Sequence, residues 1–272
     1  MSPALLRPAR RAWLLGAAGR LCPLLCPLLC PLAVWAADLP ALVAASKASV
    51  LPVGTYSPTS TPRFNFRGTG FVVGDGTLIA TNFHVLPQDY ELPSGPKVAV
   101  ALRGDGSSGV GRLARVVAVD RARDLALLQI DGPPLPTLSL APGGEAREGQ
   151  SVALIGFPIG GALGFAPVTH RGIVASVTTA ALPAATASQL DSRALSQLRQ
   201  GNFELLQLDV TAYPGNSGGP VFNVETGQVL GIVNMVLVKA GRESAISSPT
   251  GISYAVPVAY LHELLAAPRP AR

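Results

Sequence analysis

Six residues, Gly215-Asn216-Ser217-Gly218-Gly219-Pro220, constrain this chain more than any others. A serine enclosed by glycines needs a tight backbone turn, and glycine permits it because there is no Cβ to clash. Such a turn can aim two N–H groups at one point, where they would stabilise a developing oxyanion. The glycines after the serine let another backbone approach closely. Taken alone, the string also fits a glycine-rich turn carrying a surface serine. Its meaning depends on what accompanies it.

Two upstream segments accompany it. The apolar runs Gly70–Val73 and Thr77–Thr81 lead into Asn82-Phe83-His84. Further on, Asp124 stands where a loop enters the apolar run Leu125-Ala126-Leu127-Leu128-Gln129-Ile130. The order is His, Asp, Ser, with separations of 40 and 93 residues. A base, a carboxylate to orient it and a weak hydroxyl nucleophile form a complete catalytic set. Of the known chain orders for such a set, this is the one found on double β-barrels.

With these residues in view, the chain resembles the trypsin-like (chymotrypsin-fold) serine proteases, and most of all the HtrA/Deg branch. The resemblance covers roughly residues 38–267. It rests on Gly68-Thr69-Gly70-Phe71, the histidine segment, Asp124–Leu128, Gly149–Gly161, Gly172-Ile173-Val174, the GNSGGP string and Gly251–Pro257. It implies an all-β fold of two six-stranded antiparallel barrels with a C-terminal helix. Ser217 is expected to be the nucleophile, His84 the general base and then acid, and Asp124 the residue that orients the imidazole. Asp120 competes with Asp124, but Asp124 directly precedes the apolar run, as the family aspartate does. Of the other histidines, His170 beside Arg171 reads as a loop or substrate-facing residue. His262, on the terminal helix, reads as a solvated one. The N–H groups of Gly215 and Ser217 are expected to form the oxyanion hole.

The resemblance also carries expectations about specificity and activation. Thr211, Ala212 and Val236 match positions lining the specificity pocket, and Asn234-Met235-Val236 matches the strand that pairs with substrate. Thr211 stands where trypsins place an aspartate for Lys or Arg, so small to medium aliphatic residues are expected instead. Animal trypsins carry an aspartate at Asn216 to receive a freed N-terminus. An amide cannot make that ion pair, so loop ordering is expected to replace it.

The net charge of +5 does not indicate a nucleic-acid partner. Arg7, Arg10, Arg11 and Arg20 lie in the first 36 residues, which carry no acid. Without them, 17 basic residues face 16 acidic ones, and no basic stripe interleaved with aromatics remains. That segment reads as an export signal: a basic start, an apolar stretch Leu21–Trp35 and a small-residue cleavage site at Val34-Trp35-Ala36. A retained membrane anchor is the alternative, but Pro23, Pro27 and Pro31 suit a spanning helix poorly. The arginine pair also resembles a twin-arginine signal. All three cysteines, Cys22, Cys26 and Cys30, lie within it. They have no histidine or acid beside them to suggest a metal site. A lipidated cysteine stays open as a further alternative, although Leu25 and Leu29 are bulkier than the residues that usually precede one. Removing the segment leaves no thiol for a disulfide, in keeping with bacterial HtrA-like domains rather than secreted animal trypsins.

The length of 272 residues suits two barrels, which need about 200 residues. Only 14% of residues are charged, and there are 29 glycines and 25 prolines, which suits many short strands. The expected layout is a signal peptide at 1–36, then a protease domain at 37–267 and a tail at 268–272. Within the domain, barrel one spans about 48–131, barrel two about 150–256 and the helix 257–267. Short helices are expected at Pro40–Lys47 and Ser188–Gln200, a turn region at Thr55–Arg67 and a linker at Leu135–Gln150. No PDZ module fits. No metal or cofactor is implied, and no stable membrane insertion follows cleavage of the signal. The expected activity is a serine endopeptidase of the bacterial periplasm or extracellular space, acting on unfolded or damaged polypeptides. Family analogy suggests a trimer. The alternatives are a narrow processing protease with one partner and a low-turnover chaperone or binding module.

Overall fold

Several short strands of this chain, such as Leu78–Asn82 and Val229–Val233, bury both faces. The computed structural model describes residues 38–92, 94–102, 111–160, 165–179, 203–234 and 251–268. Among them, twelve strands form two closed barrels, with every pairing antiparallel. The first barrel comprises β1 (Val50–Tyr56), β2 (Phe64–Val73), β3 (Leu78–Asn82), β4 (Lys97–Val100), β5 (Arg112–Asp120) and β6 (Leu125–Ile130). Its strand order is β1-β2-β3-β6-β5-β4. The second comprises β7 (Ser151–Gly156), β8 (Val168–Thr179), β9 (Glu204–Asp209), β10 (Pro220–Asn223), β11 (Val229–Val233) and β12 (Ile252–Pro257). Its order is β10-β11-β12-β9-β8-β7. Helix α1 (Leu39–Ser46) precedes the barrels and α2 (Val258–Ala266) follows them. The all-β, two-barrel expectation with a terminal helix holds.

Side chains alternate across a strand, so odd and even positions serve different cores. Val72, Ile79, Ala126 and Leu128 fill barrel one with Leu51, Val53, Val98 and Val100. Their neighbours Phe71, Val73, Leu78, Ala80, Leu125 and Leu127 turn the other way. They join one continuous cluster with Val152, Leu154, Phe222 and Ile232 of barrel two. Burial on both faces explains why these segments read as unbroken apolar runs. Helix α2 packs Val258, Leu261 and Leu264 into the same cluster.

The ladder between β3 and β6 decides where the chemistry falls. Its register runs from Leu78↔Gln129 to Asn82↔Leu125. The residues just beyond Asn82 and just before Leu125 must therefore meet.

The structure corrects one boundary. The Thr55–Arg67 turn region contracts to about residues 57–63, because β1 continues to Tyr56 and β2 begins at Phe64. Tyr56 pairs with Phe64 and Gly54 with Phe66, and Phe64 is buried. The Phe-x-Phe alternation thus prevails over the polar, proline-rich residues beside it. The helical pattern at Ser188–Gln200 lies outside the described residues, as do the three cysteines. Among the described residues, no helix is long and apolar enough to cross a membrane.

Candidate active site

His84 sits in a 3-10 turn, Phe83–Val85, directly after β3. Asp124 closes the turn before β6 with φ +57°, a left-handed conformation that aspartate tolerates better than most residues. Its carbonyl accepts the Phe83 N–H at 3.0 Å and the Asn82 side-chain amide at 3.0 Å. These bonds fix the carboxylate against the histidine. Oδ1 accepts the His84 backbone N–H at 2.8 Å, and Oδ2 lies 2.5 Å from His84 Nδ1. A carboxylate only accepts, so Nδ1 carries the hydrogen and the neutral imidazole keeps a bare lone pair on Nε2.

Asp120 does not take part in this contact. Its oxygens accept the Arg123 backbone N–H and guanidinium, each at 3.0 Å. The Arg123 guanidinium also reaches Glu263 at 2.9 Å, tying the turn to α2.

Ser217 lies in the loop before β10. Gly215 has φ +105° and Gly218 has φ +85°. A Cβ at Gly215 would strike the Phe157 carbonyl, and one at Gly218 the Thr69 carbonyl. Both glycines are therefore required by conformation and by space. The loop is pinned at 2.9 Å by the Gly218 N–H on the Val233 carbonyl and the Gly219 N–H on the Asn216 carbonyl. Among the described residues, the N–H groups of Gly215 and Ser217 donate to no protein acceptor. Ser217 Oγ likewise makes no hydrogen bond there, to His84 or otherwise.

The two halves meet through their neighbours. Asn234, one residue past Val233, donates its carboxamide to Asp124 Oδ2 at 3.0 Å. A Cβ at Gly68 would meet both the Val85 side chain and the Ser217 carbonyl, so the histidine turn and the nucleophile loop come together there. The site thus lies on the seam between barrels, with His84 and Asp124 from one and Ser217 from the other.

The remaining expected residues are only partly placed. Ala212 is buried and Thr211 half-buried, whereas Met235 and Val236 lie outside the described residues. Asn234 was expected only on the substrate-pairing strand. Its N–H is already bonded to the Tyr254 carbonyl at 2.8 Å, and its side chain serves Asp124. Asn216 is fully buried, and both polar atoms of its amide lack a partner. His170 is no loop residue: it lies in β8 opposite Leu154. Its ring is 5.8 Å from that of Tyr213, and its buried Nε2 has no partner. Burial holds its pKa below the ordinary histidine value. The exposed His262 donates Nε2–H to the Ala141 carbonyl at 2.9 Å.

Two contributors were missed by the sequence reading. Arg67 donates to the carbonyls of Val85 and Leu86 at 2.5 and 3.0 Å, bracing the histidine turn. Thr69, fully buried, bonds the nucleophile loop from the opposite barrel. Neither carries a local signal beyond its place beside Gly68 and Gly70. Among the described residues, no cluster of His, Cys, Asp and Glu could hold a metal ion.

Comparison with known proteins agrees with this architecture. Residues 68–232 match the family model described as the trypsin-like peptidase domain. The chain is 31% identical over 191 residues to a probable periplasmic serine endoprotease, DegP-like, of Pseudomonas fluorescens. That match covers 70% of this chain and 32% of the relative. It is 34% identical over 182 residues to the serine protease HTRA1B of Danio rerio, covering 66% and 32%. The chain thus spans about a third of the length of these curated relatives. Among solved structures, the Rv3671c protease in its inactive form superposes with a TM-score of 0.56 at 21% identity, over 83% of this chain and 91% of that one. The HtrA-type protease AlgW with tripeptide gives 0.57 at 23%, over 82% and 61%. These two likenesses concern the fold. The matched family model, read with the seam geometry, establishes that this chain belongs to the trypsin-like peptidase family.

Proposed function

We propose that the chain is a serine endopeptidase that cleaves polypeptides through an acyl-enzyme. The observation that carries this reading is the Asp124–His84 pair, whose Nδ1 bond leaves Nε2 bare on the seam that also holds Ser217. Nε2 takes the proton from Ser217 Oγ as the hydroxyl adds to the scissile carbonyl, then returns it to the leaving amine. Asp124 steadies the imidazolium meanwhile. The free N–H groups of Gly215 and Ser217 receive the oxyanion. Water then resolves the ester with His84 again as base. Ser217 Oγ has yet to engage Nε2, and catalytic bonds of this kind often close only with substrate present.

Substrate and location follow by likeness. The DegP-like relative is described as periplasmic, and the N-terminal segment has the features of an export signal. We place the enzyme outside the cytoplasm, acting on unfolded or damaged exported proteins. Thr211 and Ala212 bring no charge to the specificity pocket, which favours aliphatic residues over Lys or Arg before the cut.

The test is digestion of unfolded casein with and without a serine-reactive phosphonate. Wild type should cut and lose activity to the phosphonate. Ser217→Ala should remain folded and fall to the residual rate left by binding and the oxyanion hole, at least about a thousandfold lower. Equal activity in both would refute the nucleophile, and dominant cuts after Lys or Arg would refute the pocket.

A further inference from the structure

We propose that Thr69 is a positioning residue for the oxyanion hole, its hydroxyl holding from the opposite barrel the peptide that links the two donors. The inference rests on the peptidase reading above and extends it to how the site is kept in shape.

The problem it solves is set by Gly215. Its φ of +105° is open to glycine, but glycine has many other conformations of similar energy. Nothing intrinsic to the residue keeps its N–H turned toward the serine. A peptide unit is planar and trans, so its N–H points opposite to its C=O. Fixing the Pro214 carbonyl therefore fixes the Gly215 N–H, and fixing the Gly215 carbonyl fixes the Gly215–Asn216 peptide, which links that donor to the Ser217 N–H.

Both carbonyls are held from outside the loop. The Pro214 carbonyl accepts the Ile159 N–H at 2.7 Å, which turns the Gly215 N–H the other way. Ile159 makes this bond at φ +59°, where a β-branched residue is strained, so the surrounding turn must enforce it. The Gly215 carbonyl accepts the Thr69 hydroxyl at 2.7 Å, across 146 residues of sequence. The Thr69 hydroxyl oxygen in turn accepts the Phe157 N–H at 3.1 Å, two residues before Ile159. Thr69 thus links the nucleophile loop to the turn that carries the other clamp. Its own N–H donates to the Ser217 carbonyl at 2.8 Å, and its carbonyl accepts the Thr81 hydroxyl at 2.7 Å. The hydroxyl has one proton to give and one partner to give it to, so the arrangement is directional.

Thr69→Val keeps the shape and removes the hydroxyl. It leaves the Gly215 carbonyl and the Phe157 N–H without a partner, and the Gly215–Asn216 peptide tied only by the Asn216 N–H on the Tyr213 carbonyl at 3.0 Å. Thr69→Ser keeps the bond. Steady-state kinetics on a peptide taken from the casein cut sites separates the effects. The expected result for Thr69→Val is a fall in kcat of about tenfold to hundredfold with KM within about twofold, because the donors act mainly in the transition state. Thr69→Ser should restore kcat to within about threefold of wild type.

A second readout does not depend on turnover. Labelling with carbonyl-13C glycine and 15N asparagine reports the Gly215–Asn216 peptide, with Gly201–Asn202 as the only other such pair. The Gly215 carbonyl resonance should shift upfield in Thr69→Val and stay in place in Thr69→Ser. Wild-type kcat in Thr69→Val, an equal loss in both variants, or an unmoved Gly215 resonance would each overturn the proposal. If Thr69→Val does not fold, Thr69→Cys, a weaker donor, should fall between wild type and inactive, and wild-type kcat there would overturn it. If wild type cleaves nothing while the Gly215 resonance moves as expected, the clamp stands and the peptidase reading alone fails.

Discussion

Asp124 illustrates what a single side chain must do on this seam. Its carboxylate takes a backbone N–H and an imidazole N–H from His84 and an amide N–H from Asn234. Asp124→Asn would replace an acceptor by a group that can donate, letting His84 Nδ1 become the acceptor and moving the hydrogen to Nε2. The expected outcome is a folded protein whose kcat falls by about four orders of magnitude. Asp120→Asn, measured beside it, should change kcat little, since Asp120 is engaged with Arg123. The reverse ranking would reassign the carboxylate. His84, Asp124 and Ser217, the proposed triad, stand out in the sequence because each sits at a local signature: the end of an apolar run, the start of one, and a glycine box. The Asn234 amide and the Thr69 hydroxyl were not, because their partners stand 110 and 146 residues away. A polar residue whose use is set by a distant partner leaves no periodicity to read.

Among the elements, strand register accounts for the meeting of His84 and Asp124. The strands themselves were legible from apolar runs and turn residues. The β1–β2 hairpin was blurred because a Ser/Thr/Pro-rich tip spilled into its flanks. Strand β8 supports a prediction of its own. Burial lowers the pKa of His170 from 6.5, and its Nε2 is enclosed without a partner. The folded protein therefore binds this proton less readily than the unfolded chain. The stability concerned is fully present above 6.5 and is lost as pH falls from there through the lowered folded value. Urea midpoints taken at about pH 7.5 and about pH 5.5 should fall on acidification. They should fall less in His170→Gln, which cannot charge. The same pH dependence in both proteins would remove His170 from the account.

On the scale of the whole molecule, the shared cluster makes the two barrels one cooperative body. Leu127 belongs to barrel one yet is fully buried in the cluster that holds Leu154, Phe222 and Ile232. Leu127→Ala should cost about 2–5 kcal/mol. The loss should appear in both barrels together, as one calorimetric transition at lower temperature. A second, unshifted transition would mean that barrel two is stable alone. The family resemblance implied two barrels. It did not distinguish residues facing a barrel interior from those facing its neighbour, since both are equally apolar.

The division of the site across the seam has a consequence for the cell that makes this protein. The ribosome delivers barrel one first, carrying His84, Asp124 and Thr69, while Ser217 and Asn234 are still to come. On the proposed chemistry, a nascent or truncated chain holds a base without a nucleophile. It cannot damage its surroundings before barrel two has been translated and docked. On that chemistry, cutting power belongs only to the finished molecule, a safeguard that lies in the division of the site between two barrels.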